Sequence, residues 1–181
     1  FILLFLFLTN SFFGQKNDTE IFLTNVKKEK IDDKKIDLIL SYFELPINEN
    51  ERKRAEIAQK LLRYSYRNKD RIAETLALKE ISYFYFRSIK YNDGLEVCLK
   101  ALKIAEKVKS DKLIGHVSLI LSYFYDTFDK KKSLLKKSLA IATKINDNNL
   151  KLETYKTLSE LYLDNNKITQ LIRDAIRDLD G

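Results

Sequence analysis

Cys98 and His116 are the only cysteine and the only histidine in the chain. A single thiol cannot close an intramolecular disulfide or build a thiolate zinc site, and one histidine cannot supply a paired-histidine metal motif. Little is left for a nucleophile–base–acid triad, and neither a Gly-rich phosphate loop nor a nucleophile elbow is present. Acidic residues such as Asp32-Asp33 and those from Glu49 to Glu51 alternate with Lys and Arg, the pattern of a solvated surface. No catalytic, metal or cofactor-binding residue is therefore expected. Recognition chemistry is better represented. Tyr42, Tyr83 and Tyr123 each follow a serine in a recurring tetrapeptide, and Glu160 takes that place in a fourth copy. Tyrosines in register would offer apolar rings and hydroxyl donors to an extended peptide or an amphipathic helix. The competing expectation is that these rings complete the packing between helices.

The tetrapeptide reads Leu40-Ser41-Tyr42-Phe43, Ile81-Ser82-Tyr83-Phe84, Leu121-Ser122-Tyr123-Phe124 and, more loosely, Leu158-Ser159-Glu160-Leu161. Its steps are 41, 40 and 37 residues, the regime of stacked helical repeats in which no unit buries its apolar face alone. The stretch from Lys100 to Asp111 recurs as Lys137 to Asp147. With four Gly and one Pro in 181 residues, the fold class is all-α. Four units of two helices are expected, over 31–69, 70–110, 111–146 and 147–180. In the second, a helix from about Asp70 to Ile89 precedes a turn at Tyr91–Gly94, with Asn92 or Asp93 capping the next helix. Pro46 suits the loop inside the first unit, and a polar-faced helix over 167–179 closes the array. Each serine is expected where neighbouring helices pass closest, with Leu40, Ile81, Leu121 and Leu158 pointing into the core. Tyr85, Tyr125 and Tyr162, three residues after their serines, are expected to fill the gap toward the second helix.

This pattern resembles the tetratricopeptide repeat, in whose first helix a Leu, a small residue and a Tyr recur. Ile81, Ser82 and Tyr85 match that set, Gly94 and Ala101 match the second helix, and Leu121, Ser122, Tyr125 and Ser138 match in the third unit. Leu40, Ser41, Leu158, Ser159 and Tyr162 extend the signature to the outer units. The steps exceed the family's ~34 residues, and HEAT-type pairs at ~40–47 are the structural rival. The resemblance implies an α-solenoid, a right-handed superhelix of about four units, whose first helices line a concave groove for a protein or peptide partner. By the same resemblance the groove-facing candidates are Tyr42, Tyr83, Tyr123, Glu160, Lys79, Arg87, His116 and Lys156, with Asp164 beside them. It also implies the extracytoplasmic part of a bacterial sensor or scaffold. A free-standing assembly scaffold and an intracellular peptide-responsive regulator are the alternatives.

Residues 1–14, beginning Phe1-Ile-Leu-Leu-Phe-Leu-Phe-Leu8, have the length of a signal-peptide core and fall short of the ~20 residues of a membrane span. They read as a signal truncated at its N-terminus and cleaved after Gly14, followed by a lead-in over 15–30. Export to a periplasmic or other extracytoplasmic site is expected, with membrane attachment through a further segment. The net charge of +7 comes from interspersed residues, which argues against a dedicated nucleic-acid surface. The one basic cluster, Lys130, Lys131, Lys132, Lys136 and Lys137, reads as a solvated face or as a weak contact for anionic lipid.

Overall fold

The structure, a computed structural model, describes residues 18–45 and 50–164. Those residues form eight helices and no strand: α1 (18–28), α2 (Asp32–Glu44), α3 (Glu51–Asn68), α4 (Arg71–Arg87), α5 (Tyr91–Val108), α6 (Asp111–Ser122), α7 (Phe128–Lys144) and α8 (Asn148–Asp164). The all-α expectation holds. The signal-like residues 1–14, Pro46 and the closing helix lie outside the described residues. Two compact units are present, one ending at Ile81 and one starting at Ser82, so the division falls within α4.

In the first unit, the expected lead-in contains α1, which buries Thr19, Phe22 and Val26 at helical spacing. Phe22 stacks on Tyr42 with centroids 3.8 Å apart and meets Phe43 edge-on. Ile36, Ile39, Leu40 and Phe43 of α2 are buried, as are Ala55, Ile57, Ala58 and Leu61 of α3. The stretch from Ile72 to Glu80 is buried at every position. Its polar side chains must then be paired, because an unpaired buried charge is costly. Glu74 meets Arg71 at 2.6 Å, and Glu80 receives both Lys79 and Arg54 at 2.6 Å.

In the second unit, α5 packs on α6, α6 on α7 and α7 on α8, and α6 also meets α8. Small side chains make the crossings. Ser82 Oγ donates to the Gly94 carbonyl at 3.0 Å, Cys98 Sγ to that of Val117 at 3.8 Å, and Ser138 Oγ to that of Gly115 at 3.0 Å. Of the four tetrapeptide serines, only Ser82 makes such a bond. Ser122 is buried but donates to Leu119 of its own helix, while Ser41 and Ser159 are exposed and back-bond to Leu38 and Tyr155. That corrects the expectation of a close helix crossing for Ser41 and Ser159, which are exposed. A hydroxyl satisfied by its own helix needs no neighbouring backbone. The three later tyrosines also differ. Tyr162 is buried edge-on to Phe128, Tyr85 is half-buried, and Tyr125 lies beyond the end of α6 under Lys130.

One junction design recurs. Lys69, Lys109 and Asn146 adopt left-handed backbone, at separations of 40 and 37 residues. The N–H of the next residue reaches back five positions: Asp70 to Ser65, Ser110 to Ala105 and Asp147 to Ala142. The side chains of Asp70, Ser110 and Asp147 then accept from Ala73, Leu113 and Leu150 N–H at 3.0, 3.3 and 3.0 Å. One residue thus closes the finished helix and caps the next.

The expected turn at Tyr91–Gly94 is corrected as well. Ile89, at φ 60°, ends α4, Lys90 N–H returns to Tyr85, and α5 already begins at Tyr91. Gly94 is therefore helical, and its role is steric: a Cβ there would lie 2.7 Å from Phe124 Cζ and 3.1 Å from Tyr85 Cβ.

A β-branched residue in left-handed backbone is strained by ~1–2 kcal/mol. Ile89 is 74% exposed, so replacing it sacrifices little packing. Ile89→Gly is expected to stabilise the protein by about 0.5–1 kcal/mol, after the extra entropy that glycine gives the unfolded chain. Urea denaturation followed by circular dichroism measures this, and a fall in stability would contradict the strain at Ile89.

Candidate functional site

A cleft of about 540 Å³ opens in the second unit. The end of α4 contributes Tyr83, Phe86 and Arg87, and the end of α6 contributes Ser122 and Tyr123. Asp126 follows from the turn, and Lys131 and Leu135 come from α7. From α8 come Glu153, Lys156, Thr157, Glu160, Leu161 and Asp164, whose three- and four-residue spacings form one helical stripe. Five of the eight candidates named from the sequence meet here: Tyr83, Tyr123, Glu160, Arg87 and Lys156.

The aromatic wall centres on Phe86, which the sequence reading passed over. Its ring lies 5.2 Å from Tyr123 in a stacked arrangement, 6.5 Å from Tyr83 and 5.7 Å edge-on from Phe124. Tyr83 and Tyr123 are 6.2 Å apart, so two rungs of the expected ladder are neighbours, and both rings are half-buried. The signal for Phe86 was its position three residues after Tyr83 on one helix, which sets the two on the same face. Glu153 and Thr157 were legible in the same way, being seven and three residues before Glu160.

Tyr123 Oη lies 3.5 Å from Thr157 Oγ1, at the long limit of a hydrogen bond. Burial raises the Tyr123 hydroxyl above its ordinary value of 10.0. The Thr157 contact opposes this, and Tyr83 and the charges of Glu153 and Glu160 reinforce it. Tyr123 therefore stays a neutral donor whose oxygen sits in a negative field. The cleft offers ring faces, hydroxyls and charges of both signs, which is the equipment of noncovalent recognition.

The other three candidates lie elsewhere. Tyr42 lines a separate cleft of about 420 Å³ in the first unit, stacked on Phe22. Lys79 is 8% exposed and paired with Glu80, so it is a core cation rather than a groove residue. Burial alone would raise the Glu80 carboxyl, but Lys79 and Arg54 outweigh it and hold the group below its ordinary range. His116 Nε2 lies 3.2 Å from Asp147 Oδ2, with both side chains largely covered, so it ties α6 to the start of α8.

The basic cluster also disperses. Lys130 sits 5.2 Å over the Tyr125 ring, and Lys132 lies over Phe128 and Tyr162 at 5.6 and 5.3 Å. Lys131 enters the cleft, and Lys137 Nζ is 4.0 Å from Glu106. Cation–aromatic contacts hold Lys130 against the turn before α7 and Lys132 against α7 and α8. Among the described residues no helix is long and apolar enough to cross a membrane, and no group of three ligating side chains could hold a metal ion.

Asp147 joins the junction to the ion pair. The hydrogen bond from His116 lowers its carboxyl, burial opposes, and the Leu150 N–H and the charges of His116 and Lys112 lower it further, from 3.8 to about 2. A depressed carboxyl contributes stability that is present above pH 3.8 and is lost as the pH falls toward about 2. Asp147→Asn keeps a capping oxygen and removes the charge, so its stability is expected to fall less than the parent's across that window. Asp147→Ala removes the cap as well and is expected to cost about 1 kcal/mol more at neutral pH. Urea midpoints measured against pH check both, and parallel acid limbs for parent and Asn variant would contradict the assignment. Compared with known proteins, the chain matches no family model, and no curated protein matches it.

Proposed function

We propose that this chain is a non-catalytic module that binds a protein or peptide partner, built as a tetratricopeptide-like helical array. The observation that carries the reading is the second-unit cleft. It gathers Tyr83, Tyr123, Arg87, Lys156 and Glu160 from the ends and faces of α4, α6 and α8. A mixed aromatic and charged surface of this size suits a few side chains of a peptide rather than a large interface. The array reading is supported by the capped left-handed junctions at Lys69, Lys109 and Asn146, which recur at the same 40 and 37 residue steps as the serine tetrapeptides of the last three units. The α6–α8 contact is consistent with it too, since first helices of successive units meet in such arrays.

The apolar run over residues 1–14 supports an exported, periplasmic or extracytoplasmic location. There the module would serve as the sensory or scaffolding part of a bacterial signalling protein. A free-standing assembly scaffold would use the same cleft.

Panning a random peptide library displayed on phage tests the binding role. Recovered peptides are expected to bind the parent and to lose at least about tenfold in affinity to a Tyr83→Ala/Tyr123→Ala variant of unchanged helicity. Peptides that bind parent and variant alike would contradict a binding role for this cleft.

A further inference from the structure

The cleft differs in sign from the chain around it. The whole chain carries a net charge of +7, yet among the described residues the cleft is lined by four carboxylates, Asp126, Glu153, Glu160 and Asp164, against three cations, Arg87, Lys131 and Lys156. Three of the four carboxylates come from the single stripe of α8. Glu153 and Glu160 are two helical turns apart, about 10 Å along the axis. Thr157 lies one turn from each, and the Tyr123 hydroxyl reaches Thr157. The edge of the aromatic wall therefore meets α8 midway between two carboxylates. Phe86 and Tyr83 complete that wall, and all three rings are half-buried.

Ring faces attract cations through their quadrupoles, and carboxylates at the rim of a partly desolvated cleft strengthen that attraction. An anionic side chain in the same place would meet both the negative ring faces and the acidic stripe. We infer that the cleft takes a cationic side chain, the Lys or Arg of a peptide partner, with its head group held between the Tyr83–Phe86–Tyr123 wall and the Glu153 and Glu160 carboxylates. This rests on the reading of the cleft as a peptide site and adds the sign of the residue it selects. Arg87, Lys131 and Lys156 also line the cleft, and their charges oppose further cations beside the first. The module thereby favours a spaced basic residue over a uniformly basic run.

Three fluorescein-labelled peptides of equal length test this by anisotropy, each alternating Leu with one polar type: Lys and Arg, Asp and Glu, or Ser and Asn. The basic peptide is expected to bind at least about tenfold tighter than the acidic one, although the protein's net charge favours the acidic one. Glu153→Gln/Glu160→Gln, exposed substitutions that remove only charge, are expected to weaken the basic peptide about tenfold and leave the neutral one unchanged. Tyr123→Phe, which keeps the ring, is expected to bind it like the parent, and Tyr123→Leu to lose about five- to tenfold. Neutral or acidic peptides that bind as well as the basic one, yet weaken with Tyr123→Leu, would overturn the cation assignment and leave the cleft as a peptide site. Failure of all three peptides to bind, or binding indifferent to Tyr123→Leu, would overturn the inference and the cleft reading together.

Discussion

At Gly115 the backbone of α6 comes so close to α7 and α8 that one added methyl would lie 2.8 Å from Leu150 Cδ2 and 2.9 Å from Ile141 Cγ2. The closeness is fixed on both sides. Ser138 of α7 donates to the Gly115 carbonyl, and Thr154 of α8 stands 3.1 Å from Ser138 Oγ. The Thr154 hydroxyl also lies 2.7 Å from the Leu150 carbonyl of its own helix, so its single proton serves one or the other. Ser138 and Thr154 are fully buried. In that setting a missing partner costs about 1–3 kcal/mol, so the three helices are held at one separation rather than merely pressed together. Leu119, Leu135, Ala142, Leu150 and Leu158 pack around this contact as one apolar cluster.

The candidate site inherits its geometry from that crossing. Tyr123 follows the last turn of α6, and Glu153, Thr157 and Glu160 lie on α8. The distance from the aromatic wall to the acidic stripe is therefore set by how closely α6 and α8 pass at Gly115. A second restraint acts beside the first, where His116 of α6, next to Gly115, meets the Asp147 that caps α8. Helices held at one separation in this way would need little further ordering if a partner were to bind.

Much of this was legible in the sequence, and the exceptions have physical causes. The apolar periodicity marked α2 to α8, and the recurring stretch ending at Asp111 and Asp147 marked two of the helix junctions. The position after the serine led to Tyr83, Tyr123 and Glu160. Gly94 was open to two readings, the end of a turn by composition and a second-helix position by its spacing to Ala101; it is helical, and its lack of a side chain leaves room for the Phe124 ring, a contact that no spacing reveals. Lys79, expected at the groove but buried, and the ion pair of the half-buried His116 escaped the sequence for a related reason. Each is partnered by a carboxylate, and local spacing identifies neither partner: Glu80 is adjacent in sequence, where helical side chains diverge, and Asp147 is 31 residues away. Ser41 and Ser159 carry the repeated letters without the contact that Ser82 makes, so the recurrence alone does not mark a packing contact.

The crossing at Gly115 is tested most directly by the sign of a single substitution. In an unconstrained helix, Gly→Ala stabilises by about 0.8–1.0 kcal/mol through propensity alone. At Gly115 the added methyl must displace Leu150 or Ile141, and overpacking of this kind costs about 1–3 kcal/mol. The account requires Gly115→Ala to lower the urea denaturation midpoint. A midpoint that rises would show that the helices are free to part there, and the close crossing would not be the constraint that shapes the site.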